Sequence, residues 1–326
     1  MIATRTSFAV TGPAAMTAKG CIGPNRAVLL MPWLARRIGV AILLAWAVAS
    51  FVFIAIQFVP GDSATPNPGS VAVLHEHRGL ARSVVAQYFA KFAHLLTGDF
   101  GRSLRNGSPV AGEIGRRLPH TLDLIGLAAL FALLVGIPGG LFTAIGRHGA
   151  PDRIAIRLSS LALAVPVFAA GTLLLLLSAY TVRWPVGGSL TDDLLPAITL
   201  ALAPSAIVFH ATRGAVLDTI RSDFVRTARA KGLGSARILV HHVLRNALMP
   251  VMLALGRHLG TLMSATVLVE YIFNYPGIGR LLVEAVNARD YPAVQGVVLV
   301  ILLLFVALNL VVDLLVAVLD PRVRAA

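Results

Sequence analysis

Long apolar stretches alternate with short basic ones along most of this chain. Residues 38–58 run without a charge, enough to cross roughly 30 Å of hydrocarbon at ~1.5 Å per helical residue. Residues 121–145 form a second such stretch. It contains Gly136-Ile137-Pro138-Gly139-Gly140, and glycine and proline in a membrane helix permit close helix contact or a kink. The same pattern predicts a third span at 158–182, broken at Pro166, and a fourth at 196–215. A fifth is expected at 251–272 and a sixth at 294–319. The expected fold class is an all-α membrane protein with six transmembrane helices.

The segments between the spans are patterned too. Residues 59–120 are the longest external segment. In it Leu80, Val84, Val85, Tyr88, Phe89, Phe92, Leu95 and Leu96 share one helical face. Residues 223–250 are the longest polar run of the second half, where Arg226, Arg229, Lys231, Arg237 and Arg245 oppose the single acid Asp223. Phe224, Ala228, Ala230 and Leu233 alternate with these charges, and Gly232 and Gly234 interrupt the pattern. The spacing predicts a short amphipathic helix, a turn, and a second helix from Ala236 that enters the membrane near Pro250. Ala228 and Gly232 lie one turn apart and are expected to form a small-residue docking face. After the fifth span, Tyr275-Pro276-Gly277-Ile278-Gly279 and Arg289-Asp290-Tyr291-Pro292 flank an amphipathic piece at 281–286.

Composition turns this pattern into a membrane assignment. Of 326 residues, 57% are hydrophobic and only 13% charged, too few charges to cover a soluble globule of that size. The excess of 28 basic over 15 acidic residues sits in short loops beside apolar spans. The preference of basic loops for the cytoplasm accounts for it without nucleic acid. Arg36 and Arg37, the arginines at 147–157 and those at 221–245 then place both termini in the cytoplasm. The single cysteine, Cys21, excludes an internal disulfide framework. Residues 1–30 lack an apolar core of signal-peptide length and are expected to be a disordered extension or an artefact of start-codon choice.

The candidate chemistry is sparse. His75-Glu76-His77 lies on a solvated loop, where neighbouring residues rarely make a metal site alone. No HExxH, GxSxG or GxxxxGK[ST] sequence occurs, so neither intramembrane hydrolysis nor ATP binding is expected of this chain. Ion-driven carriers usually bury carboxylates near the midplane. Here Asp123, Glu270 and Asp313 lie toward span ends, which makes a secondary transporter or channel the weaker class. Within the fifth span, Arg257 and His258 are candidates for lining a solute pathway. The competing role for Arg257 is a structural pairing with Asp313 or snorkelling to the cytoplasm.

Four motifs carry a family resemblance: VPGD at 59–62, GDFGRS at 98–103, RTARAKG at 226–232, and the block from Asn274 through RDYPAVQG. With RNALMPV at 245–251, they resemble permease subunits of binding-protein-dependent ABC importers, in the dipeptide/oligopeptide/nickel branch. The resemblance covers residues 31–324. It implies a type I importer transmembrane domain at 31–326 in the bacterial inner membrane. The implied partners are a second homologous permease, two ATPase subunits and an extracytoplasmic solute-binding protein, with no cofactor of its own. It also implies that Arg226, Thr227, Ala228, Arg229, Ala230, Lys231, Gly232 and Leu233 form the loop that docks on an ATPase. The family's leading glutamate is replaced by Arg226, so no role of that carboxylate carries over, and Arg257 also departs from the family. Peptides are the favoured cargo, with nickel or another small solute as the alternative.

This topology makes a direct prediction. With Cys21 replaced, a thiol reagent applied from outside should label Ser189→Cys and spare Ser235→Cys. The reverse pattern would overturn the orientation.

Overall fold

The computed structural model describes residues 97–146, 149–182 and 190–319, with isolated positions between 36 and 54 and between 88 and 94. All regular structure among the described residues is helical, apart from one isolated bridge between Arg102 and Pro109. A short apolar helix, α1 (Ile42–Phe51), falls inside the first expected span; the rest of that span lies outside the described residues. The Ser50 hydroxyl meets the Tyr88 hydroxyl at 2.7 Å, which brings Tyr88 against this helix; most of the expected amphipathic segment at 80–96 lies outside the described residues.

The second span is α2 (Val110–Ile145), and it starts earlier than expected. Residues 110–120 continue the helix beyond the apolar run, carrying Glu113, Arg116 and Arg117 outside it. Apolar periodicity marks where hydrocarbon ends, not where backbone hydrogen bonding ends. The third expected span, 158–182, is not a single rod. It comprises α3 (Ala150–Ala164) and α4 (Val167–Leu177), prolonged by a π-helical turn (Ser178–Val182), and the two arms bend by 107°. Pro166 removes a backbone donor and forces its predecessor out of the helical region. Val165 accordingly sits at φ −80°, ψ 123°.

The fourth span is α5 (Leu190–Ile220), also longer at both ends than expected. It packs along α2 in close register. A Cβ added to Gly140 would lie 2.5 Å from the Phe209 carbonyl, so only glycine lets the two backbones approach this far. After α6 (Asp223–Ala230), one long helix, α7 (Ser235–Ile272), combines the expected second loop helix with the fifth span. Its π-helical portion at Ile238–Leu244 has no counterpart in the apolar pattern. Helices α8 (Ile278–Asn287) and α9 (Tyr291–Leu319) complete the described residues, α9 being the sixth span. Leu134, Val135, Phe142, Leu161, Phe168 and Leu173 are exposed on the outward faces, as lipid-facing surfaces require.

Two buried carboxyl groups fasten the end of the bundle where α8 lies. Glu270, with 0% exposure, accepts from the Thr121 hydroxyl at 2.7 Å and from the Gly279 and Arg280 amides at 2.7 and 3.1 Å. The Thr121 oxygen in turn accepts from the Ile278 amide at 2.9 Å. One side chain therefore joins α2, α7 and the start of α8. A Cβ on Gly277 would overlap the Glu270 carboxyl group, so this glycine is required by close approach. Asp290 plays the matching part at the start of α9. It accepts from the Ser103 hydroxyl, the Leu104 amide at 3.1 Å and the Ala293 amide at 3.3 Å. The motif at 98–103 is thereby bound to the motif at 289–292. Nearby, burial first and the charge of Asp193 second push the Tyr275 phenol above its ordinary pKa. It stays a neutral hydroxyl and donates to the His120 carbonyl at 3.3 Å.

A buried donor left without a partner costs ~1–3 kcal/mol, and Glu270→Ala strands three of them. Glu270→Ala should therefore lower the yield and thermal stability of purified protein more than Thr121→Val does. Gly277→Ala should be at least as damaging as Thr121→Val. Wild-type thermal stability of Glu270→Ala would show that this lattice holds nothing.

Candidate functional site

The basic segment at 223–233 builds a compact platform at the opposite end of the spans. Ser222 leaves α5 in an extended conformation and starts α6. Asp223 stands in its first turn and Arg229 in its last, each matched to the helix dipole. The exposed Asp223–Arg226 pair, at 3.5 Å, contributes little in water. What holds α6 in place is apolar. Val225 and Ala228 are buried with Ala144 of α2, Val216 of α5, and Ile238, Val243 and Ala247 of α7. Leu233 packs against the same cluster. Three spans thus meet one short helix.

The termination of α6 explains Gly232. The Gly232 amide donates to the Arg229 carbonyl at 2.9 Å, and the Leu233 amide reaches back to the Ala228 carbonyl at 3.3 Å. This is a Schellman ending, which needs a left-handed residue, and Gly232 supplies it at φ +77°. The expected face shared by Ala228 and Gly232 does not form. Ala228 turns inward, and Gly232 lies past the helix end, where a Cβ would meet nothing within 4 Å. The outward surface instead presents Arg226, Thr227, Arg229, Ala230, Lys231 and Gly232. It also presents Phe224, 46% exposed. The alternation read from the sequence grouped Phe224 with Ala228, but their directions differ: Val225, not Phe224, is the buried partner.

A second fastening at this end was not anticipated. The Arg213 guanidinium forks onto Asp152, with Nε donating to Oδ1 and Nη2 to Oδ2, both at 3.2 Å. Asp152 lies in the first turn of α3 and Arg213 near the end of α5, so the pair ties the bent third span to the fourth. A carboxylate in a first helical turn followed far downstream by an arginine is too common a pattern to announce itself.

Arg257 and His258 lie within α7 as expected. Arg257 is exposed and His258 half-buried, so the two project in different directions. Among the described residues no carboxylate is paired with Arg257. Gly256, immediately before it, packs on Val312 of α9, the residue before Asp313. The Asp313 side chain lies outside the described residues, as do His75, Glu76 and His77. No group of three metal-ligating side chains is gathered among the described residues.

Comparisons with known proteins agree with this architecture. Residues 136–325 match the family described as binding-protein-dependent transport system inner membrane component. The glutathione transport system permease protein GsiC of Salmonella choleraesuis (strain SC-B67) is 36% identical over 286 residues, covering 85% of this chain and 94% of that protein. GsiC of Escherichia coli (strain K12) is 35% identical over the same length. Among solved structures, an inward-facing form of the MetNI methionine ABC transporter aligns with a TM-score of 0.54 at 17% identity. That alignment spans 64% of this chain and 96% of the other. With the motifs at 98–103, 226–232 and 274–296 held at contacts that position the spans, and VPGD at 59–62 outside the described residues, the chain belongs to the family of binding-protein-dependent transport system inner membrane components and is a permease subunit of an ABC importer with the type I fold.

Proposed function

We propose that this permease moves small peptides inward across the bacterial inner membrane, driven by ATPase subunits that dock on the exposed face of α6. A second homologous permease, two ATPases and an extracytoplasmic binding protein complete the importer. Both termini and α6 lie in the cytoplasm, and α8 lies on the external side. The observation that carries this reading is the construction of α6. Its buried face is shared by the second, fourth and fifth spans, while its free face offers one aromatic side chain among cations. A partner that pushes or pulls on that face displaces three spans at once. Phe224 supplies the apolar anchor, and Arg226, Arg229 and Lys231 supply complementarity to an acidic groove. The peptide assignment is supported by relatives named for glutathione, itself a small peptide.

Docking and helix ending are separable by substitution. Phe224→Asp should cut ATP-driven uptake by about tenfold or more, the scale of an interface hot spot, and reduce co-purification of the ATPases. Its amount in the membrane should stay unchanged, since Phe224 is not part of the buried cluster. Gly232→Asn, which tolerates the left-handed conformation, should retain most uptake, whereas the β-branched Gly232→Val should not. Normal uptake and normal ATPase recovery in Phe224→Asp would exclude this face as the docking surface.

A further inference from the structure

Helix α7 divides into three faces. Val251 and Leu255 bury against Ala132 of α2 and Val208 of α5, and Leu262 packs in the neighbouring core with Leu124 and Leu200. Gly256 and Gly260 press on Val312 and Phe305 of α9. The face turned away from both carries Arg257, Thr261 and Ser264, which share one side at i, i+4 and i+7 and are all exposed. One turn farther along, at Leu268, that face becomes apolar. A cavity of about 120 Å³ adjoins it. Thr261 and Ala265 of α7 line one wall, Thr199 and Pro204 of α5 another, and Val165 and Val167 at the bend of the third span close the rest.

A polar stripe on a membrane span is not a surface for lipid. An arginine facing hydrocarbon mid-span costs at least ~2.5 kcal/mol, and such residues face protein partners or water. Arg257 has no carboxylate partner among the described residues, and it lies about 6 Å along the helix from Thr261, one turn toward the cytoplasmic end. We propose that Arg257, Thr261 and Ser264 line the solute path, and that Arg257 makes this path selective for solutes bearing a carboxylate or another anionic group. A guanidinium one helical turn from a largely apolar cavity, which the stripe meets at Thr261, raises the local concentration of anions and resists cations. It also offers a two-pronged donor that fits a carboxylate. The proposal rests on the importer reading for the direction of transport, but its electrostatic content does not depend on ATP.

The test uses the full importer complex in proteoliposomes, with Cys21 replaced and a single cysteine introduced at Thr261→Cys or Ser264→Cys. Two methanethiosulfonate probes are compared, one carrying a sulfonate and one a trimethylammonium, each rate normalised to that with a free thiol. The expected result is labelling at both positions with an anionic preference of about fivefold, the size that ~1 kcal/mol between unit charges at close range produces. Arg257→Gln should abolish that preference and Arg257→Lys should keep it. Failure of both cysteines to react places this face in lipid or in a dry subunit contact and overturns the proposal. So does a preference indifferent to Arg257→Gln. A preference that emerges only on Asp313→Asn shows that Arg257 is spent on a neighbouring carboxylate, and likewise overturns it. ATP-driven uptake is measured on the same vesicles. Its absence there alongside the expected labelling counts against the importer reading and leaves the selective path standing.

Discussion

Glu270 has no exposed surface, and a carboxyl group so placed must have its oxygens occupied. Everything around it is arranged to that end. Thr121 arrives from α2, the Gly279 and Arg280 amides point back from α8, and the Ile278 amide is taken up by the Thr121 oxygen. The segment after the fifth span has to fold back sharply for its amides to reach, and a side chain at position 277 would block it. The glycines of Tyr275-Pro276-Gly277-Ile278-Gly279 therefore serve a buried acid rather than a loose turn. Asp290 repeats the arrangement at the start of α9, gripping the segment at 103–104. Between them, the two acids join α2, α7, α8 and α9 at one end into a unit with little freedom to shear.

The other end is held by different forces. Apolar packing of Val225, Ala228 and Leu233 fixes α6 to three spans, and the Arg213–Asp152 fork binds the bent third span to the fourth. Apolar contact is non-directional, so such a joint tolerates small rotations that a hydrogen-bonded lattice does not. Displacement delivered at α6 would then enter the spans at their compliant end and be resisted at the end where the acids sit. The 107° bend at Pro166 adds a place where the third span can change angle without breaking helical hydrogen bonds, since Pro166 has none to donate.

Hydrophobic periodicity was enough to place helices at the second to sixth expected spans and at 223–230 among the described residues, because burial in lipid or against a core writes itself into spacing. It did not read the beginning of α2 at Val110, where Arg116, Arg117 and Pro119 interrupt the apolar run although the backbone continues as helix. Nor did it separate α3 from α4 as arms at a steep angle, since a proline announces a break but not its magnitude. Glu270 was legible only as an acid near a span end. Its partners lie 149 positions upstream, at Thr121, and 9 positions on, at Gly279, and no local pattern links them. Ala228 was misjudged for a related reason. Small residues suit both an external docking face and a tight internal contact, and spacing alone does not distinguish the two.

The two charges of α7 show what the fold does with polarity inside a membrane. Glu270 and Arg257 are separated by thirteen residues, about 20 Å of helix, and by roughly 140° around it. One meets three donors and is sealed; the other projects from a face it shares with Thr261 and Ser264. The regular α-helical backbone between the two fixes the direction in which each Cα–Cβ bond leaves α7. Among the described residues no carboxylate pairs with Arg257, and its Cα–Cβ bond leaves the helix on the side shared with Thr261 and Ser264. On the proposed reading, a charge on that side would stay available to a passing solute, while the buried acid of the same helix serves the packing.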